Sequence, residues 1–541
     1  MCWSLLNNPK IILAGGVVGL ALLIMFGLFS SDVELEHSEQ VAEVEQVAEV
    51  EQINFGPGEG MELNCNPEVD KNNDNIPDNL DVEGVVDWSN CDLFGLNLSN
   101  LNLSGANLSG TSLYTADISN TDLSGADLSY SQIYKADISN TNFKNANLSY
   151  ANLCGAGQSY PRIFDFTGAD LSYADLDHAV LRDADLTDTT ITYTNFHDAN
   201  LSYVDMSGKD ITGTILTEAN LTSANLNDVD LSGKDLTQAI LAEVDLSGKD
   251  LTGTILKKAD LTKANLNDVD LSGKDLTGTI LKNVGLYDTN LTNTILNQAD
   301  LTNANLNGTD LTKSVLTNAN LDRAILVGVD LSGKDLTGTI LKGADLTDAI
   351  LNGVDLSGKD LTSTKLVGVD LSGMDMTGTI LKKADLTKAQ LSKVDLSGKD
   401  LTGTIFRNVA LYDTNLTNTI LKKADLTNAN LSGVDLSGKD LTSTKLVGVD
   451  LSGKDLTETI LRGADLTDVT LTGTTLTGAN LFKSKLVNAD LSGKDLTQTM
   501  LEKADLTGAN LTGANLTGAN LTGANLTNAV LNCIGHPVCV N

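Results

Sequence analysis

From about residue 86 to the end of the chain an apolar residue returns at every fifth position, and no α-helix or long strand can absorb that period. A helix repeats its buried face about every 3.6 residues and a strand about every second one. Bringing a centre that recurs every five residues to a common axis therefore requires the backbone to turn once per pentapeptide. A first register has its centres at Trp88, Leu93, Leu98 and onward to Leu153, and a second runs from Phe166 through Leu171 to Leu531. The residue two before each centre is mostly Ala, Thr or Val, so two apolar columns face inward. One such unit cannot bury its own apolar face, and tens of them in register stack into a solenoid.

Units such as Ala-Asn-Leu-Thr-Gly at 509–513 resemble the pentapeptide-repeat family, whose consensus is Ala-Asp/Asn-Leu-X-X. The resemblance implies an all-β fold, a right-handed quadrilateral β-helix with four pentapeptides in each coil of 20 residues. The sequence supports that coil length independently. Tyr-Thr-Ala-Asp-Ile-Ser-Asn-Thr at 114–121 returns as Tyr-Lys-Ala-Asp-Ile-Ser-Asn-Thr at 134–141, and the pairs Tyr114/Tyr134, Tyr130/Tyr150 and Tyr173/Tyr193 lie 20 apart. Stacked aromatic ladders explain the spacing.

Ten lysines enter the inward-leaning position before Asp-Leu or Asp-Ile, at 209, 234, 249, 274, 334, 359, 399, 439, 454 and 494, and no two are 20 apart. Stacking would place like charges about 4.8 Å apart, so the 40-residue interval common among them relieves repulsion, although copying of a 40-residue unit also produces it. A longer copy is visible too: residues 204–216 recur at 329–341, and 286–296 at 411–421, both offset by 125. That offset keeps the five-residue register but turns each copied surface by a quarter of a coil, which speaks for a structural or diffuse binding role over one fixed catalytic face.

Folding the second register on 20-residue coils gives two outward columns of interest. One reads Ile340, Asp360, Ile380, Asp400, Ile420, Asp440, Ile460, Asn480, Met500, either a lateral docking stripe or a by-product of copying. The other is acidic: Asp210, Asp230, Asp250 and Asp270, then Asp335, Asp355, Asp375 and Asp395, followed by Asn290 and Asn415 respectively. Stacked carboxylates repel by roughly 1 kcal/mol per pair in water, so weak bridging by divalent cations is the expectation.

Ahead of the repeats, Ile11 to Phe29 is an uncharged run of 19 residues, preceded by Lys10 and followed by Asp32, Glu34 and Glu36. Its length and flanks read as a single transmembrane helix, N-terminus inside and repeats outside, with a cleaved signal peptide as the alternative. The expected order is a short cytoplasmic segment 1–10, a membrane helix 11–29, an acidic stalk 30–62, a calcium-binding-like loop 63–85, the first β-helical register 86–153, an excursion 154–163, the second register 164–532 and a Cys-bracketed tail 533–541.

Within that loop, Asp70, Asn72, Asp74, Ile76, Asp78 and Asp81 occupy positions 1, 3, 5, 7, 9 and 12, with Ile76 offering its carbonyl. A hard Ca²⁺ takes six to eight oxygens, about what alternate residues of a tight loop can aim at one centre. The stretch resembles the calcium loops of thrombospondin type 3 repeats, which implies Ca²⁺ as a ligand. It departs from the usual loop in having Asn75 at position 6 and the shorter Asp81 at position 12. Of the cysteines, Cys533 and Cys539 bracket Ile-Gly-His-Pro-Val and are placed to close the last coil. Cys65 and Cys91 flank the calcium-like loop, and for them pairing and packing as free thiols both stand open.

Catalysis has little to stand on. His37, His178, His197 and His536 join no Ser/Asp or Cys arrangement at motif spacing, although His178 and His197 fall on neighbouring coils. Only 4% of residues are aromatic, which leaves no walls for a large cofactor, and the repeat makes Asp columns on a convex surface without a desolvating cleft. The chain reads as a non-enzyme: a membrane-anchored, extracytoplasmic acidic β-helix that binds ions, surface polymers or partner proteins, with no small-molecule substrate. The alternative, implied by the family resemblance and suited to a formal charge of −35, is a DNA mimic that binds a type II topoisomerase. Export argues against it, as does a tail too short for the dimerisation helix of those relatives.

Overall fold

The computed structural model describes Cys65, residues 86–153 and residues 166–539. It divides into two compact units: Met1–Asn220 with Asn227–Val229, and Leu221–Leu226 with Asp230–Asn541. Both are built from the same five-residue step.

Residues 106–110 show that step in the first unit. Ala106 and Leu108 are buried, while Asn107 between them points outward and forms parallel bridges to Asp87 below and Asp127 above. Its N–H donates to the Val86 carbonyl at 2.7 Å, and the Leu108 N–H donates to the Asp127 carbonyl at 2.7 Å. The chain then turns through Ser109 and Gly110, and the Thr111 N–H donates back to the Leu108 carbonyl at 3.2 Å. Gly110 has φ of 65°, as the third residue of a type II turn requires. Each pentapeptide thus contributes one bridge and one corner. A period of five is what a three-residue wall plus a two-residue turn produces.

Bridges join residues 20 apart in both units, as in Asp117↔Asp137 and Asp400↔Ile420, which confirms four pentapeptides per coil. The sole change of interval, among the described residues of the first unit, crosses the register break: Asn142↔Asp170, Asn147↔Asp175 and Asn152↔Val180 are 28 apart. One coil therefore carries eight extra residues without disturbing its neighbours. The excursion itself, expected at 154–163, lies outside the described residues.

Leu, Ile and Phe centres fill the interior and are almost wholly inaccessible, with Phe143, Phe166, Phe196 and Phe406 the largest. Where the second inward column holds Thr, the buried hydroxyl needs an acceptor. At many sites it finds the carbonyl of the apolar centre one coil below, as Thr121 Oγ1 donates to Leu98 O at 2.8 Å in the first unit and Thr294 Oγ1 to Leu271 O at 3.0 Å in the second, and at others the centre three residues back, as Thr111 Oγ1 donates to Leu108 O at 2.7 Å. Outside, Asp and Asn at the bridge position brace the turn that follows. The Ser109 N–H donates to Asn107 Oδ1 at 3.2 Å, and the Thr337 N–H to Asp335 Oδ1 at 2.8 Å. These short side chains are favoured because they accept from the backbone two residues on.

The expected tyrosine ladders are present in the first unit. Ring centroids are 5.2 Å apart for Tyr114/Tyr134, 4.8 Å for Tyr130/Tyr150 and 4.7 Å for Tyr173/Tyr193, all near parallel. Phe94 extends the first ladder and His178 the second, the latter stacking on Tyr150 at 4.5 Å across the enlarged coil. The rings of the second and third ladders stand at corners with positive φ, 59° at Tyr130 and 58° at Tyr150, a conformation costing a bulky residue roughly 1–2 kcal/mol. Stacking of about 0.5–1.5 kcal/mol per pair offsets much of it. The third ladder ends where the Tyr193 ring lies over Gly213, where a Cβ would fall 2.2 Å from a ring carbon; only glycine fits beneath it.

Candidate functional site

The most distinctive chemistry of the second unit lies at corners with the sequence Asp-Leu-Ser-Gly-Lys, such as 270–274 and 435–439. The lysine takes the inward position that Thr takes elsewhere, and its ammonium reaches the acceptor used by the Thr hydroxyl. Lys274 Nζ donates to Leu251 O and, at 3.3 Å, to Thr254 O. Lys334 and Lys359 make the same pair of bonds, to Leu311 and Ser314 and to Leu336 and Thr339. Lys439 Nζ donates to Leu416 O at 2.7 Å and Lys399 Nζ to Thr379 O at 3.0 Å.

The second acceptor matters for the wall. In an ordinary coil that carbonyl receives the N–H of the next bridge residue one coil up. Where a lysine takes it, no bridge joins Ile255 to Asp275, Val315 to Asp335, Ile340 to Asp360 or Ile380 to Asp400 among the described residues, and Ile420 and Asp440 beside Lys439 are likewise unjoined. There the ammonium takes the carbonyl that a rung would use, and among the described residues rungs are missing as well where Val holds the inward position, as between Asp310 and Asp330 or Ile350 and Asp370. Polar clefts lie at two such corners: one of about 360 Å³ beside 270–274, with Lys249, Asp250, Asp268 and Asp270 in its lining, and one of about 410 Å³ beside 435–439, lined in part by Asp413, Asn415 and Asn418. Partial burial lowers the Lys274, Lys334, Lys359, Lys399 and Lys454 ammonium pKa values from the ordinary lysine range, with neighbouring aspartates opposing the shift.

The acidic columns of the second unit run along these corners. Asp230, Asp250 and Asp270 stand in successive coils, as do Asp335, Asp355, Asp375 and Asp395, and among the described residues no bridges link the members of either series. Their carboxyl pKa values nevertheless lie below the ordinary range, chiefly because the hydroxyl and N–H of the following Ser or Thr bond to the carboxylate. Repulsion is present, as between Asp230 and Asp250 or Asp355 and Asp375, but ranks behind those bonds. Local bonding wins and the columns stay ionised.

One buried charge escaped the sequence reading. Asp425 is only 5% exposed and accepts from Arg407 Nε at 2.8 Å and Nη2 at 2.7 Å, with Lys445 at 3.4 Å. Burial pushes its pKa up, but the Thr427 and Arg407 bonds outweigh that and hold it low. Arg407 stands among Thr and Val in its column, an irregularity that marks the pair only once 20-residue stacking is assumed.

In the first unit, His178 Nδ1 lies 2.8 Å from Asp177 Oδ1, in ion-pair range but off hydrogen-bond geometry, and its Nε2 lies 3.3 Å from Asp198 Oδ2. Burial raises the Asp198 pKa, opposed by His178. His178 and His197 do approach, edge to face at 6.0 Å, but His197 Nδ1 is taken by Thr217 Oγ1 at 2.9 Å. Among the described residues no group of three or more His, Cys, Asp or Glu is arranged to hold a metal.

The calcium-loop residues Asp70, Asn72, Asp74, Ile76, Asp78 and Asp81 lie outside the described residues, as do Ile11 to Phe29. No helix among the described residues is long and apolar enough to cross a membrane. Cys65 pairs with Cys91, Cα atoms 4.3 Å apart, and so ties the segment before the calcium-like loop to the first coil. Cys533 pairs with Cys539, as their spacing suggested.

A family model described as pentapeptide repeats (8 copies) matches overlapping segments from 91–129 and 123–156 through to 459–498 and 495–532. Among solved structures, HetL, a pentapeptide repeat protein involved in heterocyst differentiation regulation in the cyanobacterium Nostoc sp. strain PCC 7120, is 27% identical over 55% of this chain and 91% of its own, with a TM-score of 0.12. A trypsin-treated variant of QnrB1, a plasmid-mediated fluoroquinolone resistance protein, is 24% identical over 35% of this chain and 88% of its own, with a TM-score of 0.17. A pentapeptide repeat protein of the Arabidopsis thaliana thylakoid lumen is 23% identical over 24% of this chain and 64% of its own, with a TM-score of 0.07. No curated protein matches the chain. The repeat match spans most of the sequence: the chain belongs to the pentapeptide-repeat family, whose members form right-handed quadrilateral β-helices.

Proposed function

We propose that this protein is a membrane-anchored, extracytoplasmic β-helix with a structural or binding role and no catalytic one. The observation that carries the location is the pairing of Cys65 with Cys91 and of Cys533 with Cys539. Disulfides persist outside the reducing cytosol, and Ile11 to Phe29 has the length and flanking charges of a helix that delivers the repeats there. The non-catalytic reading is supported by what the polar groups do. Lysine ammoniums satisfy wall carbonyls and aspartate oxygens brace turns, so the groups that catalysis would draw on are engaged in holding the coil. The ligands that suit such a surface are ions, surface polymers or proteins, with Ca²⁺ held by Asp70, Asn72, Asp74, Ile76, Asp78 and Asp81 ahead of the repeats.

A phosphatase reporter fused after Asn541 should be active only outside the cytoplasm, and Cys533 and Cys539 should resist alkylation until reduced. A reporter active only inside removes this reading and favours the second, a DNA mimic that binds a type II topoisomerase, for which the charge of −35 is the supporting observation. Calorimetry in which Asp74→Ala leaves calcium binding unchanged would remove the metal site alone.

A further inference from the structure

One face of the second unit carries a long row of exposed apolar side chains, and a shorter row stands at Ile255, Ile295 and Val315 on another. Ile340, Ile380, Ile420, Ile460 and Met500 are 49%, 47%, 45%, 38% and 44% exposed. The first four stand two coils apart, roughly 9.6 Å at the usual inter-strand spacing. Between them lie Asp360, Asp400 and Asp440, each bridged to the isoleucine above it. From Ile340 to Ile460 every other rung is open, so this stretch of the face is a series of joined pairs, and the ladder is continuous from Ile460 through Asn480 to Met500.

Charge separates this face from the acidic one. Lys382 meets Asp400 at 3.4 Å and Lys422 meets Asp440 at 3.0 Å, so two of the three carboxylates between the isoleucines are countered by lysines of the same face. Along the Asp335 to Asp395 column the nearby cations are the inward lysines that tie the wall, such as Lys359 and Lys399. The face through Asp345 and Lys365 is also balanced, their ion pair being 2.8 Å, but it lacks the apolar row. In a chain of net charge −35, an apolar face whose carboxylates are mostly paired is where a like-charged molecule can approach.

We infer that this face pairs with the same face of a second copy of the chain. A two-fold axis perpendicular to the stack of coils lays the isoleucine column of one copy along that of the other. Because the pattern repeats every two coils, each isoleucine then seats between two of its mate, and all rows fit at once. The Lys382–Asp400 and Lys422–Asp440 pairs let that stretch of the faces close with its charges paired. Five half-exposed side chains bring on the order of 400 Å² of apolar surface per copy, typical of a functional patch. With flanking Thr and the stems of the lysines the contact reaches about the lower limit for a specific interface. The dimer should therefore be weak and concentration-dependent.

Sedimentation equilibrium of the full chain in density-matched detergent tests this. The parent should self-associate reversibly, and Ile380→Lys with Ile420→Lys should weaken association at least tenfold while far-UV circular dichroism stays unchanged. Ile350→Lys, 44% exposed on another face, should associate as the parent does. A parent that is monomeric at every soluble concentration would overturn the inference and leave a polymer or foreign protein as the occupant. Association that the double variant leaves intact would overturn it as well.

Discussion

The two units use one backbone step but close their corners differently. In the first, Tyr130, Tyr150 and His178 stack ring on ring and Lys209 ties a corner to the Thr189 carbonyl, whereas in the second that tie recurs at Lys274, Lys334 and Lys359. Stacking adds contacts on top of an intact ladder of bridges. The lysine takes a carbonyl that a rung would use, making a charge-assisted bond and accepting partial desolvation of an ammonium. The repeat tolerates such changes of chemistry at its corners because the inward Leu column carries the fold. Corners are where surfaces can diversify.

If the core is common to both, deleting it should cost the same in either. Phe196→Ala in the first unit and Phe406→Ala in the second should each destabilise their local coils by about 3–5 kcal/mol, read as loss of amide-exchange protection in the flanking coils. A cost confined to one unit would break the idea of a shared core.

The corners should then respond unequally. Tyr150→Ala removes stacking on both Tyr130 and His178 and should cost about 1–3 kcal/mol in the first unit, seen as faster exchange around 128–180. Tyr412→Ala, in the second unit and 40% exposed without a stacked partner among the described residues, should stay within about 0.5 kcal/mol. Equal losses would mean that the ladders are ornament.

Lys399→Thr tests the other closure. A Thr hydroxyl can instead reach the centre carbonyl one coil below, as Thr294 does with Leu271, without a half-buried charge and without occupying the Thr379 carbonyl. The variant should be more stable by roughly 1 kcal/mol at pH 7, with protection appearing at the Asp400 amide. The pH dependence follows the same logic. A lysine whose folded pKa is lowered binds fewer protons folded than unfolded, so stability rises as pH climbs through the folded value toward 10.5. That share of the rise should vanish in Lys399→Thr. A variant less stable than the parent would show that the ammonium contributes more than the rung it displaces.

Much of this was legible because the repeat forces it. The Leu column at one position in five fixed the core, and tyrosines 20 apart announced both the coil length and the ladders. The lysines were visible as intruders, but not their effect on the wall. Seeing that Lys399 takes the Thr379 carbonyl requires knowing which carbonyl lies one coil below, which is a property of stacking and not of composition. The Asp335 to Asp395 column was legible as a column and misjudged as chiefly repulsive, because the turn N–H and hydroxyl donors beside each carboxylate were left out of the balance. Asp425 with Arg407 was missed for a related reason: residues 18 apart show no local pattern until the coil is closed.

The smallest effect per group is the acid response, and it should differ in sign between the units. Asp455 is held down to about 2 by the hydroxyls of Thr457 and Thr475 and the Thr457 N–H, and Asp335, Asp355, Asp375 and Asp395 are shifted the same way. A carboxyl with a depressed folded pKa contributes stability that is complete above its unfolded value and is lost as pH falls through the folded one. The melting temperature of the second unit should thus hold from neutral pH down to the ordinary Asp range near 3.8 and fall only below it. Asp198 in the first unit runs the other way. Burial raises its folded pKa, so its contribution is full below the unfolded value and declines as pH rises through the folded one. Melting followed by exchange or by unit-specific fluorescence across this range should show Asp455→Asn flattening the acid limb of the second unit. Asp198→Asn should remove the gain on acidification in the first. Identical acid limbs in the parent and in Asp455→Asn would mean that the turn donors beside Asp455 do not discriminate between its ionised and neutral forms.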